Sequence, residues 1–212
     1  MKIGIIGATG KSGSLLAAEA LRQGHDVTGI VRFVNRVRDS RIHVLQSDLF
    51  ELNRNTLKGF DVVINAFRAP SGKEEEHLTS VEHLIAVFED LPEVRFMMVG
   101  GAGSLYVDLP KKIPLYTTPD FPKDFLPTAA NMAKAFSLLE KSAINWTYMS
   151  PAIEFDYEGK RTGRYTLGKD NVITNAKGES YISYADYALA MIDEVNNRAF
   201  VRQRFTAVSE RG

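Results

Sequence analysis

Apolar runs of strand length recur along the chain at 3–6, 27–31, 43–45, 62–64, 95–99 and 147–149. Between most of them the apolar positions change period. Leu15, Leu16, Ala18 and Leu21 follow the first run, and Val81, Leu84, Ile85 and Phe88 fall on one face at helical spacing. The same holds for Ala129, Met132, Ala133, Phe136 and Leu139, and for Tyr184, Tyr187, Ala188, Met191, Ile192 and Val195. The helix through Val81 starts just after the acidic run Glu74, Glu75 and Glu76, which suits the positive end of a helix. Strands alternating with helices predict a parallel sheet covered on both faces, because each crossover returns the chain to the same end of the sheet. The expected fold class is therefore α/β, a doubly wound, mostly parallel sheet whose ligands sit beyond the strand C-termini.

After residue 150 the pattern loosens. Gly159, Gly163, Gly168 and Gly178 punctuate a polar stretch, and 151–180 reads as short strands and loops. We expect it to be a small elaboration on the substrate side of one domain covering 1–212, since 212 residues with 44% hydrophobic content suit a single core.

Charge and cysteine content remove several function classes. Twenty-six basic residues balance twenty-six acidic ones, so no overall field draws the protein to nucleic acid or an anionic membrane. With no cysteine, disulfides, thiolate metal sites and a cysteine nucleophile are excluded, which fits a reducing compartment and a cytoplasmic location. The apolar N-terminal stretch is broken by Gly4, Gly7, Gly10, Lys11, Ser12 and Gly13, so it does not read as a signal segment. The four histidines, His25, His43, His77 and His83, lack metal-ligand spacing. Asn145-Trp146-Thr147 matches a glycosylation triplet, but Trp146 reads as the start of a core strand.

The first strand runs into Gly7-Ala8-Thr9-Gly10-Lys11-Ser12-Gly13 and then directly into a helix. Glycines at that junction let a pyrophosphate reach the backbone N–H groups of the helix end, where side chains would hold it away. A nucleoside-triphosphate loop would require glycine five residues before Gly10, and that residue is Ile5. At the end of the second strand, where an acid would hold the ribose hydroxyls of NAD, stands Arg32. A cation there pairs with a 2′-phosphate, so NADP(H) is expected over NAD(H). Arg36, Arg38 and Arg41 make the following loop basic.

These residues, together with Ser47-Asp48-Leu49, Asn65-Ala66-Phe67, the run from Val99 through Gly100 to Leu105, Trp146 to Ala152 and Tyr181 to Tyr187, resemble the atypical short-chain dehydrogenase/reductase family. The likeness is strongest to its small NAD(P)H-binding members described as NADH-flavin reductases, with biliverdin reductase B as a relative. It spans nearly the whole chain and implies a Rossmann fold. It also implies that Asp48 and Leu49 lie at the adenine and Asn65, Ala66 and Phe67 on the adenosine ribose side. Gly100 joins the cofactor-binding set, and Pro151, Ala152 and Ile153 lie beside the nicotinamide. Plainer readings are that Asp48 caps a short helix and Pro151 ends a strand.

One departure from the wider superfamily bears on chemistry. Its alcohol and sugar dehydrogenases use a Tyr-x-x-x-Lys helix, and the corresponding helix here carries Ala130 and Lys134. The match Tyr165 to Lys169 lies in a glycine-containing hairpin segment and reads as chance. A flavin or related planar acceptor needs less of such an acid, because the ring spreads the incoming charge. The resulting expectation is an NADPH-dependent reductase of a planar small molecule, with flavin as a possible substrate. Ser104 is the candidate catalytic group at a ring edge, and Phe67, Leu105, Tyr106 and Phe155 are candidate acceptor-lining residues. A cofactor-sensing regulatory protein of the NmrA-like kind is the alternative. A sugar-nucleotide epimerase fits less well, because the chain after Ser150 is short and the tyrosine is missing.

Overall fold

The computed structural model describes all 212 residues. The strands are β1 (Lys2–Ile6), β2 (Asp26–Val31), β3 (His43–Gln46), β4 (Val62–Asn65), β5 (Arg95–Val99), β6 (Trp146–Ser150), β7 (Glu154–Asp156), β8 (Thr166–Gly168), β9 (Tyr181–Ser183) and β10 (Gln203–Val208). The helices are α1 (Lys11–Arg22), a single turn α2 (Arg54–Leu57), α3 (Glu76–Glu89), α4 (Leu126–Lys141) and α5 (Tyr184–Asn197). Eight strands form one sheet in the order β3-β2-β1-β4-β5-β6-β10-β8, parallel throughout except for β8, which runs antiparallel to β10. β7 and β9 pair separately. All six expected strands are present. The reversal of strand order between β1 and β4 opens the crevice at which such sheets bind ligands.

Alternation along the strands divides the core in two. Ile3, Ile5, Val62, Ile64, Met97 and Met149 face α1 and α5, whereas Ile6, Val63, Phe96, Met98 and Tyr148 face α3 and α4. Three of the four helical stripes are the inward faces, with the difference that Ala135 is fully buried while Ala133 is only half-buried; on α1 the expected Ala18 is exposed, and the helical period instead puts Ala17 and Ala20 inward with Leu16. β10 was not expected from the sequence. Its inward Phe205 and Ala207 alternate with Arg204 and Thr206, and both of those polar residues are also buried.

The 151–180 segment is bolted to the helices by carboxylates. Asp186 is completely buried and accepts hydrogen bonds from Thr162 N (3.0 Å), Thr162 Oγ1 (2.7 Å) and Gly163 N (2.9 Å). Tyr165 donates to Asp193 (2.7 Å), and Arg161 pairs with Glu19 on α1 (3.4 Å). Burial pushes the Glu19 carboxyl up, but hydrogen bonds from Arg22, Gln23 and Arg161 outweigh it and hold the pKa at about 2. Because this value is depressed below the ordinary 4.5, the stabilisation is complete above pH 4.5 and is lost as pH falls through about 2. Thermal melts of wild type and Glu19→Gln should therefore differ most near neutral pH and converge as pH falls from 4.5 to 2. A gap in melting temperature that stays constant across that window would contradict this account.

Candidate dinucleotide site

At the C-terminal end of β1 the chain turns at Gly7, where φ is +76° and an added Cβ would lie 3.0 Å from the Ala66 carbonyl oxygen. Gly10 N donates to Gly7 O at 2.9 Å and closes the turn. Gly13 then passes so near this turn that a Cβ would lie 2.1 Å from Gly7 O. The close approach brings the first turn of α1 against the strand end. Gly10 caps α1 without a side-chain hydrogen bond, and the first turn holds no acid. The free N–H groups and the positive end of the helix dipole are thus left for an anion. Thr9, Gly10 and Lys11 are exposed and Ser12 half-buried, whereas Ala8 is buried against the sheet.

Arg32 and Arg36 flank the exposed ring of Phe33, with guanidinium carbons 5.8 and 4.8 Å from its centroid. No carboxylate pairs with either cation, while Arg41 is held by Asp39. Asp48 caps the 3-10 turn Leu49–Glu51 through Phe50 N (3.0 Å), and Leu49 is buried. Asn65 is 2% exposed and accepts from Phe67 N at 3.0 Å, which shapes the turn after β4 beside Gly7. Ala66 and Phe67 are half-buried. These groups, from β1, β2, β3 and β4, share one end of the sheet. They fit a dinucleotide: a glycine cradle, an uncapped helix end and unpaired cations.

The residues expected beyond β5 and β6 are less uniform. Gly100 is required by packing, since a Cβ there would lie 2.2 Å from the Tyr148 ring. Pro151 and Ala152 are buried, and of that trio only Ile153 presents its side chain, at 51% exposure. Leu105, expected to line an acceptor, is fully buried, so its side chain anchors the loop instead of forming an open wall. Tyr106 is half-buried and its main chain pairs with Asp170 and Val172 beside β8, away from the glycine turn in sequence and fold. Ser104 is partly exposed, and its Oγ accepts a hydrogen bond from Arg204 at 3.1 Å. Phe155 stacks on Tyr184 with ring centroids 3.7 Å apart.

Three contributors were not anticipated. Tyr157 lies over Lys11 (4.7 Å) and edge-on to Tyr184, which brings the 151–180 segment onto the glycine turn. Tyr184 neighbours Ser12, and the charge of Arg68, just after β4, reaches both Tyr184 and His77. Arg68 follows directly on Asn65-Ala66-Phe67, so its position in sequence was the available signal. Burial pushes both Tyr148 and Tyr187 up, and Tyr165 is held by Asp193 at the start of an edge strand.

Fold and site together define an α/β protein of the dinucleotide-binding class. The family model described as NAD(P)H-binding matches residues 7–198, and the chain belongs to that family. It is 50% identical over 211 residues to the uncharacterized protein YwnB of Bacillus subtilis, covering 99% of each chain. A solved structure from Streptococcus pneumoniae, provisionally designated an NADH-flavin reductase, is 39% identical with a TM-score of 0.93, covering 99% of this chain and all of the other. One from Bacteroides thetaiotaomicron, provisionally designated an epimerase, is 34% identical with a TM-score of 0.87, covering 100% and 99%. No helix is long and apolar enough to cross a membrane.

Proposed function

We propose that this protein is an NADPH-dependent reductase of a flavin, a quinone or a similar planar conjugated acceptor. The observation that carries the reading is the cradle of Gly7, Gly10 and Gly13 at an uncapped helix, set beside Arg32 and Arg36, which no carboxylate neutralises. In this reading Gly10, Lys11 and Ser12 hold the pyrophosphate, Arg32 holds the 2′-phosphate, Asp48 borders the adenine, Asn65 shapes the turn on the adenosine ribose side, and Ile153 borders the nicotinamide. NADPH, when bound, supplies the hydride. The protein contributes position and dryness more than acid–base chemistry, because the helix that carries the tyrosine–lysine pair in the alcohol dehydrogenases has Ala130 and Lys134 here. The Streptococcus pneumoniae designation supports this reading. The epimerase designation fits less well, because the stretch after Ser150 is short and the helix position of the tyrosine that such chemistry uses is Ala130.

Purified protein mixed with NADPH or NADH and FMN, riboflavin or a simple quinone should oxidise the cofactor only when an acceptor is present, and faster with NADPH. Heat-inactivated protein is the control. Tight NADPH binding with no oxidation by any acceptor would overturn the reductase and favour a cofactor sensor, which the missing tyrosine also fits. Replacing Arg32 by alanine should weaken NADPH by about 30-fold, as for a lost charge-assisted contact, and NADH by less than about threefold. Titration of both cofactors decides it, and equal losses would remove Arg32 from the phosphate.

A further inference from the structure

Tyr184 opens α5, and its neighbours fix where the phenol stands. β7 pairs with β9 in a register that sets Phe155 opposite Ile182, and the Phe155 ring stacks on Tyr184 with centroids 3.7 Å apart and planes 18° from parallel. Tyr157 of the same segment meets the Tyr184 ring edge-on at 5.4 Å and lies over Lys11 of the glycine turn at 4.7 Å. The Ser12 hydroxyl neighbours the phenol oxygen, and the charge of Arg68 reaches it. Ser12 follows β1 and Arg68 follows β4, so the phenol stands at the crevice between those two strands, beside the glycine cradle.

The half-buried ring is held, but its proton is not. Tyr165 donates to Asp193 (2.7 Å), Tyr181 to Asp156 (3.0 Å) and Tyr187 to the Met149 carbonyl (2.8 Å), whereas Tyr184 donates to no carboxylate or carbonyl of the protein. Burial pushes this phenol above its ordinary value and outweighs Arg68 and Ser12, which pull it down. At neutral pH it is therefore an acid and not a base. Arg68 pairs with no carboxylate, so its charge is free to favour the phenolate that remains after a proton leaves.

We propose that Tyr184 is a catalytic acid for an acceptor whose new electrons settle on oxygen, which makes a quinone, in preference to a flavin, the acceptor class of this site. The inference rests on the reductase reading. A flavin spreads its charge over the ring and takes a proton from water, so an unpartnered phenol adds little to its reduction. A quinone gains a hydrogen with its bonding pair from the cofactor's C–H bond, and negative charge gathers on a carbonyl oxygen. The Tyr184 O–H bond breaks as an O–H bond forms on that oxygen. The product is the hydroquinone, and the phenolate recovers its proton from water. Both oxygens are phenolic, so the proton passes between groups of similar basicity. The stack on Phe155 and the edge of Tyr157 keep the ring in place for the transfer.

The test compares wild type with Tyr184→Phe, which removes the hydroxyl and keeps the ring on Phe155, so the variant should melt within about 2 °C of wild type. NADPH oxidation is followed at saturating naphthoquinone and, separately, at saturating FMN. Quinone reduction should slow about 100-fold and FMN reduction less than about threefold, with NADPH affinity by calorimetric titration unchanged within about twofold. Titrated with naphthoquinone in the presence of NADP⁺, where no turnover occurs, the variant should bind about fivefold more weakly for want of one hydrogen bond. Equal slowing with both acceptors, an unchanged quinone rate, or a loss of NADPH affinity large enough to account for the slowing would overturn the inference. Wild-type protein that reduces FMN but not the quinone would overturn it too and leave the reductase reading standing. Wild-type protein that oxidises NADPH with neither acceptor would overturn that reading, and the inference with it.

Discussion

Gly13→Ala should lower NADPH affinity by about 100-fold, the scale expected when binding groups are displaced by roughly 1 Å. The added Cβ would lie 2.1 Å from Gly7 O, 2.8 Å from Gly7 C and 2.9 Å from Ala8 Cα, and all three are backbone atoms that no rotamer change can move. The turn has to open, which carries the N–H groups at the start of α1 away from any phosphate they hold. Gly10→Ala is the matched control. Its Cβ would meet only Gly7 O, at 3.2 Å, and a loss below about tenfold is expected for so small an adjustment. Calorimetric titration of the two variants distinguishes them. Wild-type affinity in Gly13→Ala would mean that the phosphates bind elsewhere.

Asp186→Ala should destabilise the protein by about 3 kcal/mol, because the backbone N–H groups of Thr162 and Gly163 and the Thr162 hydroxyl lose a completely buried acceptor. For a chain of this size the melting temperature should fall by about 10 °C. The damage should concentrate where those donors sit. Lys160, Arg161 and Arg164 flank them, so trypsin should cut there in the variant long before it cuts the wild type. Since Tyr157 of the same segment packs over Lys11, weaker NADPH binding should accompany the cleavage. A variant that melts within about 2 °C of wild type and resists trypsin would show that the segment is held by other contacts.

The residues that were legible in advance are those whose partners are near in sequence. The strand, glycine turn and α1 are contiguous, and their roles follow from local geometry, although the sequence treats three glycines alike where the structure makes Gly13 far stricter than Gly10. Asp48 behaves as the plainer reading had it, as a cap whose bonds span only two or three residues. The second half of the site was harder to read. Leu105 and Ser104 are neighbours in the chain, yet one is interior and the other meets Arg204 across a hundred residues. Gly100 fits a glycine-rich motif, but its lack of a side chain is demanded by the Tyr148 ring from the adjacent strand.

By itself the sequence determined the alternation of strands and helices, hence the doubly wound sheet, and the glycine turn that leads into α1, because period and turn chemistry are properties of neighbouring residues. Tertiary structure alone decided that β10 inserts between β6 and β8, that a buried arginine on it reaches Ser104, and that carboxylates on α1 and α5 fasten the 151–180 segment. The physical reason is that a buried cation such as Arg204 has the sequence signature of a surface one. Only the Asp170 carboxylate, the Ser104 oxygens and the Phe136 ring, brought together by folding from distant parts of the chain, make its burial favourable.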